Sequence, residues 1–508
     1  MRKCGTGIVV LLFVWHPSFA AEPKPSKVSE SWDAAFLEGN RIGFFHTTTR
    51  EIERDGLKVL RTTLEMDLTV KRYGSNVHLR MENGTEETTD GKVMAVSMTM
   101  YQDAGKKLVL KGTVEEDQLH VTVDSAKIDK RIPWNDKVIG LHQQEGLFKA
   151  RNANPGDNIT YLTYEPTLNT VITVQAKVLE HEVVDCLGIK RRLLRVEAKP
   201  DKIEVSNMAP IQLPGIVDWL DKDLKIVRSE MTLPGMGSVV LCRTDQAAAK
   251  APINLSKLPD IGLNTLVPLN RSISDPYNTK AAVYRITLKN DDANPTTAFA
   301  KDDRQEIRNA RGKSFELHIT AIKKPRSLDN DKAIGPEFAE SNYFLDWDNA
   351  KIRSLTREAA GEETDSWMKA KRIENWVYQN VHSNNGVPFG PASQVADKLL
   401  GDCRQHTLLA AAMCRAAGVP SRTAVGLIYL DDVKKGPAFG FHMWAEVWTY
   451  GQWVSIDPTF GPGKVGATHI KIADHSWHDT QSYTPLLGVA RVIGNLKIEV
   501  VSVDGRGK

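Results

Sequence analysis

The chain has 508 residues, of which 41% are hydrophobic and 25% are charged, and its formal net charge is +3. This length is too great for one hydrophobic core, so two or three domains are expected, and the composition is ordinary for globular proteins. The nearly neutral charge argues against a nucleic-acid partner, because binding to phosphates needs an excess of basic residues.

The chain begins with the three parts of an export signal. Arg2 and Lys3 form a basic start, residues 7–14 are apolar, and residues 18–20 are a small-x-small cleavage site. The apolar run is too short to cross a bilayer as a helix. We therefore expect residues 1–20 to be a signal peptide, the mature chain to be periplasmic or secreted, and no transmembrane segment to remain once the signal is removed.

Residues 21–245 are predicted to form an antiparallel β domain. Apolar and polar residues alternate at 64–70, 77–81 and 119–123, and glycine-containing turn signals separate such runs. This part contains no nucleophile, metal-ligand spacing or phosphate loop. We expect it either to bind the substrate or cell-envelope components, or to be a spacer that packs on a catalytic domain.

Cys186 and Cys242 both lie in strand-like runs. In an exported protein these two cysteines could form a disulfide, and closing that loop would contribute ~4 kcal/mol to stability. The alternative is two separate buried thiols, and the sequence leaves both open.

Residues 246–277 are predicted to be a linker, because prolines interrupt every regular element there. Apolar and polar residues alternate again within residues 278–340, which are predicted to be a small β unit. A helix with one apolar stripe follows, capped by Asp365 or Ser366 and running to about Val381.

Residues 341–508 are predicted to be an α+β domain whose chemistry begins at a second helix. Asp402 is a suitable N-cap, and apolar residues then recur at three- and four-residue intervals until Gly-Val-Pro at 418–420 ends the helix. Cys403 thus lies in the first turn, where the helix dipole and the unpaired N–H groups favour a thiolate over a thiol. Cys403 is therefore a candidate nucleophile.

His442 and Asp457 are predicted to meet across a β-hairpin. Residues 441–448 and 453–457 alternate as strands, and a tight turn with its loop at 450–451 joins them. This register puts the two residues on one face, one diagonal step or roughly 7–8 Å apart, which an imidazole and a carboxylate can bridge. The opposite face is uniformly apolar, so the pair is expected to lie outside the core.

A cysteine, a histidine and an aspartate in this order form a nucleophile, a base and a group that orients the base. The surrounding sequences, in chain order, are G-D-C, G-V-P-S-R, H-M-W-A-E and D-P-T. This series resembles the motifs of the transglutaminase-like superfamily over about residues 345–475. The resemblance implies a papain-like α+β catalytic fold with Cys403 as nucleophile, His442 as base and Asp457 orienting the histidine. No cofactor and no metal ligand are expected, and the sequence leaves a calcium requirement open.

Further candidate residues surround these three. A second oxyanion donor, besides the backbone N–H of the nucleophile, is expected from an upstream side chain, and Gln394 and Trp376 are suggested. Trp444 is expected to form a wall of the pocket, and His406 to be structural or to line the pocket. The histidines and aspartates at 469–479 match no standard metal spacing, so they are expected to belong to a loop beside the active site.

The leading hypothesis is an exported, cysteine-dependent acyl-transfer enzyme that acts on peptide or protein amide bonds through a thioester. Transfer to water makes a protease or amidase, transfer to an amine makes a transglutaminase, and the motifs do not separate these reactions. One alternative is a non-catalytic peptide-binding or assembly module of the cell envelope. Another is a metal site formed by Cys403, His406, His442 and Asp457.

Overall fold

A computed structural model describes residues 26–102, 107–123, 128–204, 210–290, 293–326, 333–431, 436–478, 484–504 and 506–507. The signal peptide expected at 1–20 lies outside these residues. Within them, no helix combines the length and the apolar character that a membrane crossing requires.

Among the described residues, the N-terminal part forms one antiparallel sheet of fourteen strands. The strands are β1 Ser26–Leu37, β2 Asn40–Arg54, β3 Leu57–Arg72, β4 Ser75–Thr88, β5 Val93–Tyr101, β6 Lys107–Glu115, β7 Gln118–Val123, β8 Ile128–Pro133, β9 Asn158–Glu165, β10 Thr170–Cys186, β11 Ile189–Pro200, β12 Ile216–Leu220, β13 Ile226–Leu233 and β14 Gly237–Thr244. Their spatial order runs from β8 down to β1 and then from β14 down to β9, so β1 pairs with β14 at the centre. Beyond β8, Val138 bridges to Leu162 in β9, which brings the two ends of the sheet together.

The alternation that predicted this antiparallel β part is visible in the burial of its side chains, and the prediction is confirmed. In β7, Leu119, Val121 and Val123 are buried and the residues between them are not. The prediction missed helix α1 (Leu141–Ala150), whose first N–H groups are bound by the distant carboxylate of Glu87, at 2.8 Å from His142 N. A cap supplied from another strand leaves no N-terminal signal in the helix's own sequence.

Cys186 and Cys242 are both free and buried, so the structure has two separate thiols in place of the disulfide. They lie on β10 and β14, which are not neighbours in the sheet. Burial raises the pKa of both thiols.

The segment 246–277 contains only short elements: α2 Gln246–Ala249, α3 Ile261–Asn264, β15 Val267–Pro268, and single 3-10 turns at Leu255–Lys257 and Pro276–Asn278. Hydrogen bonds connect this segment to the N-terminal sheet and to the C-terminal part of the chain. The Asp260 carboxylate accepts a hydrogen bond from Tyr73 N at 2.8 Å in the β3–β4 turn, and Val267 pairs with Phe439 in the C-terminal part.

The C-terminal part contains mixed strands and helices. The strands are β16 Ala281–Leu288, β17 Gln305–Arg311, β18 Ser314–Thr320, β19 His382–Ser383, β20 Leu400–Gly401, β21 Ser421–Leu430, β22 Ala438–Thr449, β23 Gln452–Ile456, β24 His469–His475, β25 Leu496–Val503 and β26 Arg506–Gly507. The helices are α4 Ala350–Ala360, α5 Ser366–Asn380, α6 Ala392–Lys398, α7 Cys403–Ala416 and α8 Leu487–Val492, with 3-10 turns at Pro295–Thr297, Pro336–Phe338 and Thr484–Leu486.

These elements form three layers, and the predicted α+β class is confirmed. The middle layer is a sheet in the order β15-β22-β21-β24, with β23 beside β22. Helices α4 to α7 cover one face, where Met443, Ala445 and Val447 are buried among them. The other face packs on a sheet in the order β17-β18-β16-β25-β26, and the rings of Tyr284 and Phe439 meet there with centroids 5.4 Å apart.

The N-terminal sheet and the helical layer share one hydrophobic core. Met98 and Leu110 of the sheet belong to the same buried cluster as Phe344 and Phe389. The β part therefore packs directly on the helices that carry the candidate nucleophile.

Candidate active site

The candidate nucleophile Cys403 is the first residue of α7, as predicted. The Asp402 carboxylate accepts a hydrogen bond from Arg404 N at 2.9 Å, and the Gln405 side chain accepts one from Asp402 N at 3.1 Å. This capping box fixes the start of the helix and leaves the Cys403 N–H without a partner inside the helix. Cys403 is half-buried, whereas Cys414 on the same helix is fully buried.

The hairpin that carries the other two residues has the predicted register. Tyr450 and Gly451 have φ angles of 52° and 76°, the left-handed values that a two-residue turn between strands requires. Glu446 lies opposite Ser455, as expected. Because a slip of one residue would move every side chain to the other face, this turn decides where the catalytic candidates point.

The structure brings Cys403, His442 and Asp457 together. His442 Nε2 and Asp457 Oδ2 are 2.8 Å apart, and the Cys403 thiol is a further hydrogen-bond partner of the same ring. Since Asp457 occupies Nε2, the ring atom that faces the thiol is Nδ1. A nucleophile, a base and an orienting group thus meet in one chain of contacts.

The expectation that this pair lies outside the core is wrong. His442 is 5% exposed and Asp457 is fully buried. The alternation of the hairpin residues correctly predicted that His442 and Asp457 share one face of the sheet. A second layer of residues, however, covers that face. Phe460 packs 5.3 Å from the His442 ring, Tyr277 stacks on Phe460, and Arg304 reaches in from the adjoining β unit. Strand periodicity shows which side chains share a face, and it contains no information about what covers that face.

The buried pair is strongly polarised. Burial opposes the charged form of His442, but the charges of Asp457 and Cys403 and the hydrogen bonds to both outweigh burial and raise the pKa of His442 to about 10. Burial likewise works against the Asp457 carboxylate, yet His442 above all holds the pKa of Asp457 well below its usual value. At neutral pH the site therefore contains an imidazolium beside an aspartate.

A second histidine, His469, also binds Asp457. His469 Nε2 lies 3.0 Å from the Oδ2 atom that His442 contacts, while Oδ1 accepts a hydrogen bond from Thr459 N at 2.9 Å. On the other side, the Asp457 backbone N–H donates to Glu374 of α5 at 2.8 Å. Burial lowers the pKa of His469 to about 4, so its ring is neutral and donates from Nε2. Sequence analysis placed His469 in a neighbouring loop, and only its position after D-P-T points to this role.

Two combinations of residues bear on metal binding. The ligand atoms of His442, Asp457 and His469 all lie within 4.8 Å of one another, close enough to hold a metal ion. In the structure both histidines direct Nε2 to one oxygen of Asp457, so an ion would have to replace both hydrogen bonds. His406 is not part of this group, because its two ring nitrogens contact the backbone oxygens of Asp402 and Val381 at 2.8 and 3.0 Å.

The N-terminal sheet also contributes to the site through Arg72, which sequence analysis missed. Arg72 forms an ion pair with Asp402, and Arg404 binds the same carboxylate at 2.8 Å. Burial would raise the pKa of Asp402, but Arg404 and Arg72 outweigh it and lower that pKa to about 2. Arg72 interacts electrostatically with Cys403 as well. Its sequence surroundings look like an ordinary strand end, so no local signal marks it.

The remaining predicted residues lie farther from the chemistry. Trp444 is fully buried, with its ring 6.3 Å from that of His442, and it is not among the described residues that line the cavity at Cys403. Gln394 is buried in α6, and Trp376 on α5 donates to Glu358 at 3.0 Å. Neither Gln394 nor Trp376 is among the described residues that line the cavity at Cys403, so the structure assigns no oxyanion role to them.

Cys403 and His442 open into a groove of about 940 Å³ between the two halves of the chain. One wall comes from the N-terminal part, at 72, 199, 202, 210–215, 232–234 and 236. The other comes from α7, β22 and the segment 486–495. A groove of this size that reaches the candidate nucleophile can hold several residues of an extended chain.

Comparisons with known proteins agree with the motifs. Residues 353–458 match the profile of the Transglutaminase-like superfamily, which includes the candidate nucleophile, base and orienting residue. No curated protein matches the chain.

Several solved structures are similar to parts of the chain. A candidate cysteine protease from Cytophaga hutchinsonii is 17% identical and covers 45% of this chain and 91% of its own, with a TM-score of 0.29. A β-barrel-like protein of a domain of unknown function from Brucella abortus is 14% identical, covers 44% of this chain and 98% of its own, and has a TM-score of 0.32. The periplasmic domain of TgpA from Pseudomonas aeruginosa, bound to ethylmercury, is 13% identical and covers 37% of this chain and 92% of its own, with a TM-score of 0.22.

Proposed function

Since the chain carries a transglutaminase-like core at residues 353–458, we propose that it is a cysteine-dependent acyl-transfer enzyme that acts on peptide or protein amide bonds. The observation that supports this most is the contact of Cys403, at the start of α7, with a His442 ring that Asp457 holds at 2.8 Å. The acyl group passes through a thioester on Cys403.

In the acylation step, the Cys403 thiolate, paired with the His442 imidazolium, attacks the amide carbonyl. The carbonyl oxygen becomes an oxyanion, for which the Cys403 backbone N–H at the helix N-terminus is a donor. As the C–N bond breaks, the imidazolium gives its proton to the leaving amine. The Asp457 carboxylate stays ionised throughout and keeps the ring in position.

In the second step the thioester is transferred. Water, or an amine, gives a proton to neutral His442 Nδ1 and attacks the thioester carbonyl, and the returning thiolate leaves. Water yields an acid and makes the enzyme a protease or amidase, whereas an amine yields a new amide and makes it a transglutaminase. Hydrolysis is the reaction we favour for a chain with an export signal at 1–20, acting in the periplasm or outside the cell.

The test is turnover of a peptide amide library with and without added primary amine, read by mass spectrometry. Hydrolysed products alone identify a protease or amidase, and amine adducts identify a transglutaminase. Cys403→Ser should abolish both products, because a serine hydroxyl is far harder to ionise, and His442→Ala should lose a comparable amount, since members of a triad act as a unit. Cys414→Ala, which removes a buried thiol from the same helix, is the matched control and should keep turnover.

The groove itself supports a second candidate, a non-catalytic module that binds peptides. Such a module needs the cavity between the two halves but has no use for the bond between His442 and Asp457. If the wild type binds peptides yet never turns them over, and Cys403→Ser changes neither property, the binding module replaces the enzyme.

A further inference from the structure

We propose that the tip of the β10–β11 hairpin, residues 183–192, binds a membrane surface that contains anionic phospholipids. This binding is separate from the proposed acyl transfer and does not depend on it. The tip combines a projecting ribbon, exposed apolar side chains and a run of basic residues.

The hairpin extends past the strands on either side of it. Strand β10 pairs with β9 only as far as Lys177, and β11 pairs with β12 only from Leu194 onward. Between Glu182 and Leu193, the two strands pair only with each other among the described residues. The ribbon therefore reaches roughly 15 Å beyond the pairing of β11 with β12, at about 3.3 Å per residue.

One face of this ribbon is fixed to the rest of the sheet. Cys186 and Leu193 pack with Trp219 in a buried cluster, and Arg228 donates a hydrogen bond to Asp185 O at 3.2 Å. The ribbon is thus held near its turn as well as at its base. The exposed side chains of the ribbon therefore have a defined orientation.

Three large apolar side chains are exposed at the tip. Val183 is 65% exposed, Leu187 is 43% exposed and Ile189 is 57% exposed, and none of them belongs to the buried cluster. They are three of the ten exposed large hydrophobic residues in the described part of the chain, and they lie within seven positions. Apolar surface that stays in water gains nothing from folding, so a concentration of it indicates a surface that becomes covered.

The turn of the hairpin does not explain its leucine. Leu187 and Gly188 have φ angles of 57° and 83°, and glycine, asparagine and aspartate adopt such left-handed angles most easily. At the same place in two other turns of the sheet the chain has Glu38 and Asp55, with φ angles of 49° and 51°. The leucine therefore adds apolar surface at the end of the hairpin without serving the turn.

Basic residues follow the apolar ones directly. Lys190, Arg191 and Arg192 are exposed, and none of them forms a salt bridge with a described residue. Asp185 is the one acidic residue between positions 183 and 192, so three basic residues and one acidic residue leave a net charge of +2 at the tip.

The acidic groups at the base of the hairpin do not cancel this excess. Glu182 forms an ion pair with Arg195 at 3.5 Å and accepts a hydrogen bond from Trp219 Nε1 at 2.6 Å. The turn beside β11, residues 221–225, holds two acidic and two basic residues. Glu180 lies six residues before the last residue of β10, or roughly 20 Å from the turn along an extended strand.

This combination matches a lipid surface better than a protein. An interface between two proteins takes roughly 20–30 residues on each side, whereas the tip offers ten. Apolar side chains at a projecting tip can enter the boundary between headgroups and acyl chains, while basic side chains beside them bind anionic headgroups. One apolar and one basic signal together give stable attachment where either alone is weak.

Attachment by the tip keeps the catalytic groove away from the membrane. Strand β11 runs from Ile189 at the tip to Pro200, and Lys199 near its end lines the groove. The ten residue steps from Ile189 to Lys199 span about 33 Å of strand. The groove would then face substrates up to that distance from the lipid surface.

The test measures binding of the exported form, without the signal expected at 1–20, to vesicles of two compositions. One set is phosphatidylcholine alone, and the other contains about 30% phosphatidylglycerol, an anionic lipid. Co-sedimentation should show at least about tenfold tighter binding to the anionic vesicles at about 100 mM salt, and the difference should narrow at about 500 mM because salt screens exposed charges. Equal binding to both sets overturns the proposal. Binding to neither set also overturns it and makes a protein the partner of the tip.

A charge variant locates the binding at the hairpin. It removes the three basic residues of the tip: Lys190→Gln/Arg191→Gln/Arg192→Gln. Binding to the anionic vesicles should weaken by roughly tenfold to a hundredfold, since each basic residue near such a surface contributes roughly fivefold. The matched control removes one exposed lysine and two exposed arginines from α4 and should bind as the wild type does: Lys351→Gln/Arg353→Gln/Arg357→Gln.

A second variant makes the exposed apolar residues polar and retains β-branching in the strands: Val183→Thr/Leu187→Asn/Ile189→Thr. It should weaken binding to the anionic vesicles by roughly tenfold. Its control changes three exposed apolar residues elsewhere: Leu79→Thr/Leu255→Gln/Met368→Gln. If the hairpin variants bind as their controls do, the tip is not the attachment site and the proposal is wrong. Peptide turnover in solution should be unchanged in both hairpin variants, so loss of vesicle binding leaves the proposed acyl transfer intact.

Discussion

Arg72, the last residue of a strand in the N-terminal sheet, forms an ion pair with Asp402, the residue that caps the nucleophile helix. The two residues are 330 positions apart in the chain. The contact makes the β part a direct neighbour of Cys403 and gives the sheet a role in the chemistry that can be tested.

Arg72→Gln should slow both peptide turnover and alkylation of Cys403. The buried Asp402 would lose one of its two cations, and the Cys403 thiolate would lose a nearby positive charge. We expect roughly a tenfold decrease in kcat/KM, which corresponds to about 1.4 kcal/mol. The matched control is Arg80→Gln, because Arg80 on the next strand pairs with Glu65 and Glu82. Equal rates for Arg72→Gln and the wild type, with the fold intact, would remove Arg72 from the site.

Cys403 should be the only cysteine among those at 186, 242, 403 and 414 to react rapidly with iodoacetamide at neutral pH. The other three are buried, and burial raises the pKa of each of their thiols. Mass spectrometry after a short exposure locates the label, and the same reaction in denaturant should label all four. Early labelling of Cys414 would contradict the catalytic assignment.

The interaction between His442 and Asp457 should make the free energy of unfolding depend on pH. His442 has its usual pKa of 6.5 when unfolded and a pKa raised to about 10 when folded, so its contribution is complete below about pH 6.5 and is lost as the pH rises toward 10. Asp457 has a lowered pKa, so its contribution is complete above about pH 4 and is lost as the pH falls further. Together the two contributions are largest between about pH 4 and 6.5.

Urea unfolding of the wild type and of His442→Gln checks this dependence. The difference in the free energy of unfolding should be largest near pH 5–6 and should shrink by on the order of a few kcal/mol by about pH 10. A difference that grows with pH would mean that His442 is neutral in the folded chain.

His469→Ala should lower kcat more than it changes KM. It removes one of the two ring donors to Asp457 Oδ2, so the carboxylate and the His442 ring that it holds become less fixed. We expect a loss of about tenfold to a hundredfold, as for the removal of an outer partner of a catalytic group. His469→Gln can still donate a hydrogen bond and should recover part of the loss. Equal losses for both variants would indicate a packing role alone.

Turnover should survive prolonged dialysis against EDTA. His442 and His469 both direct Nε2 to Asp457, and the proposed mechanism uses these atoms for hydrogen bonds. Activity that disappears on dialysis and returns with one divalent metal would make His442, Asp457 and His469 a metal site instead. His478→Ala serves as a control for a histidine outside this group.

The features of the site that could be predicted from the sequence are those that neighbouring residues determine. Cys403 follows its own N-cap, and the turn at Tyr450 and Gly451 sets the register of the hairpin, so the position of Cys403 at a helix start and the pairing of His442 with Asp457 could be predicted. Arg72 and His469 could not, because their roles come from contacts with residues far away in the chain or in an adjoining strand. For the same reason, the alternation of the strand residues predicted that His442 and Asp457 share one face of the sheet, but it did not predict the second layer of residues that buries them.

The last long strand, β25, pairs with β16 and completes the sheet that packs behind the active site. The strands of that sheet thus come from both sides of the helical region in the chain, and the sheet can close only when Ala281–Leu288 and Leu496–Val503 have met. Non-local pairing of this kind forms late in folding. The layer behind His442 and Asp457 is therefore expected to close late in folding, so the three candidate catalytic residues are fixed in place only after β25 has paired with β16.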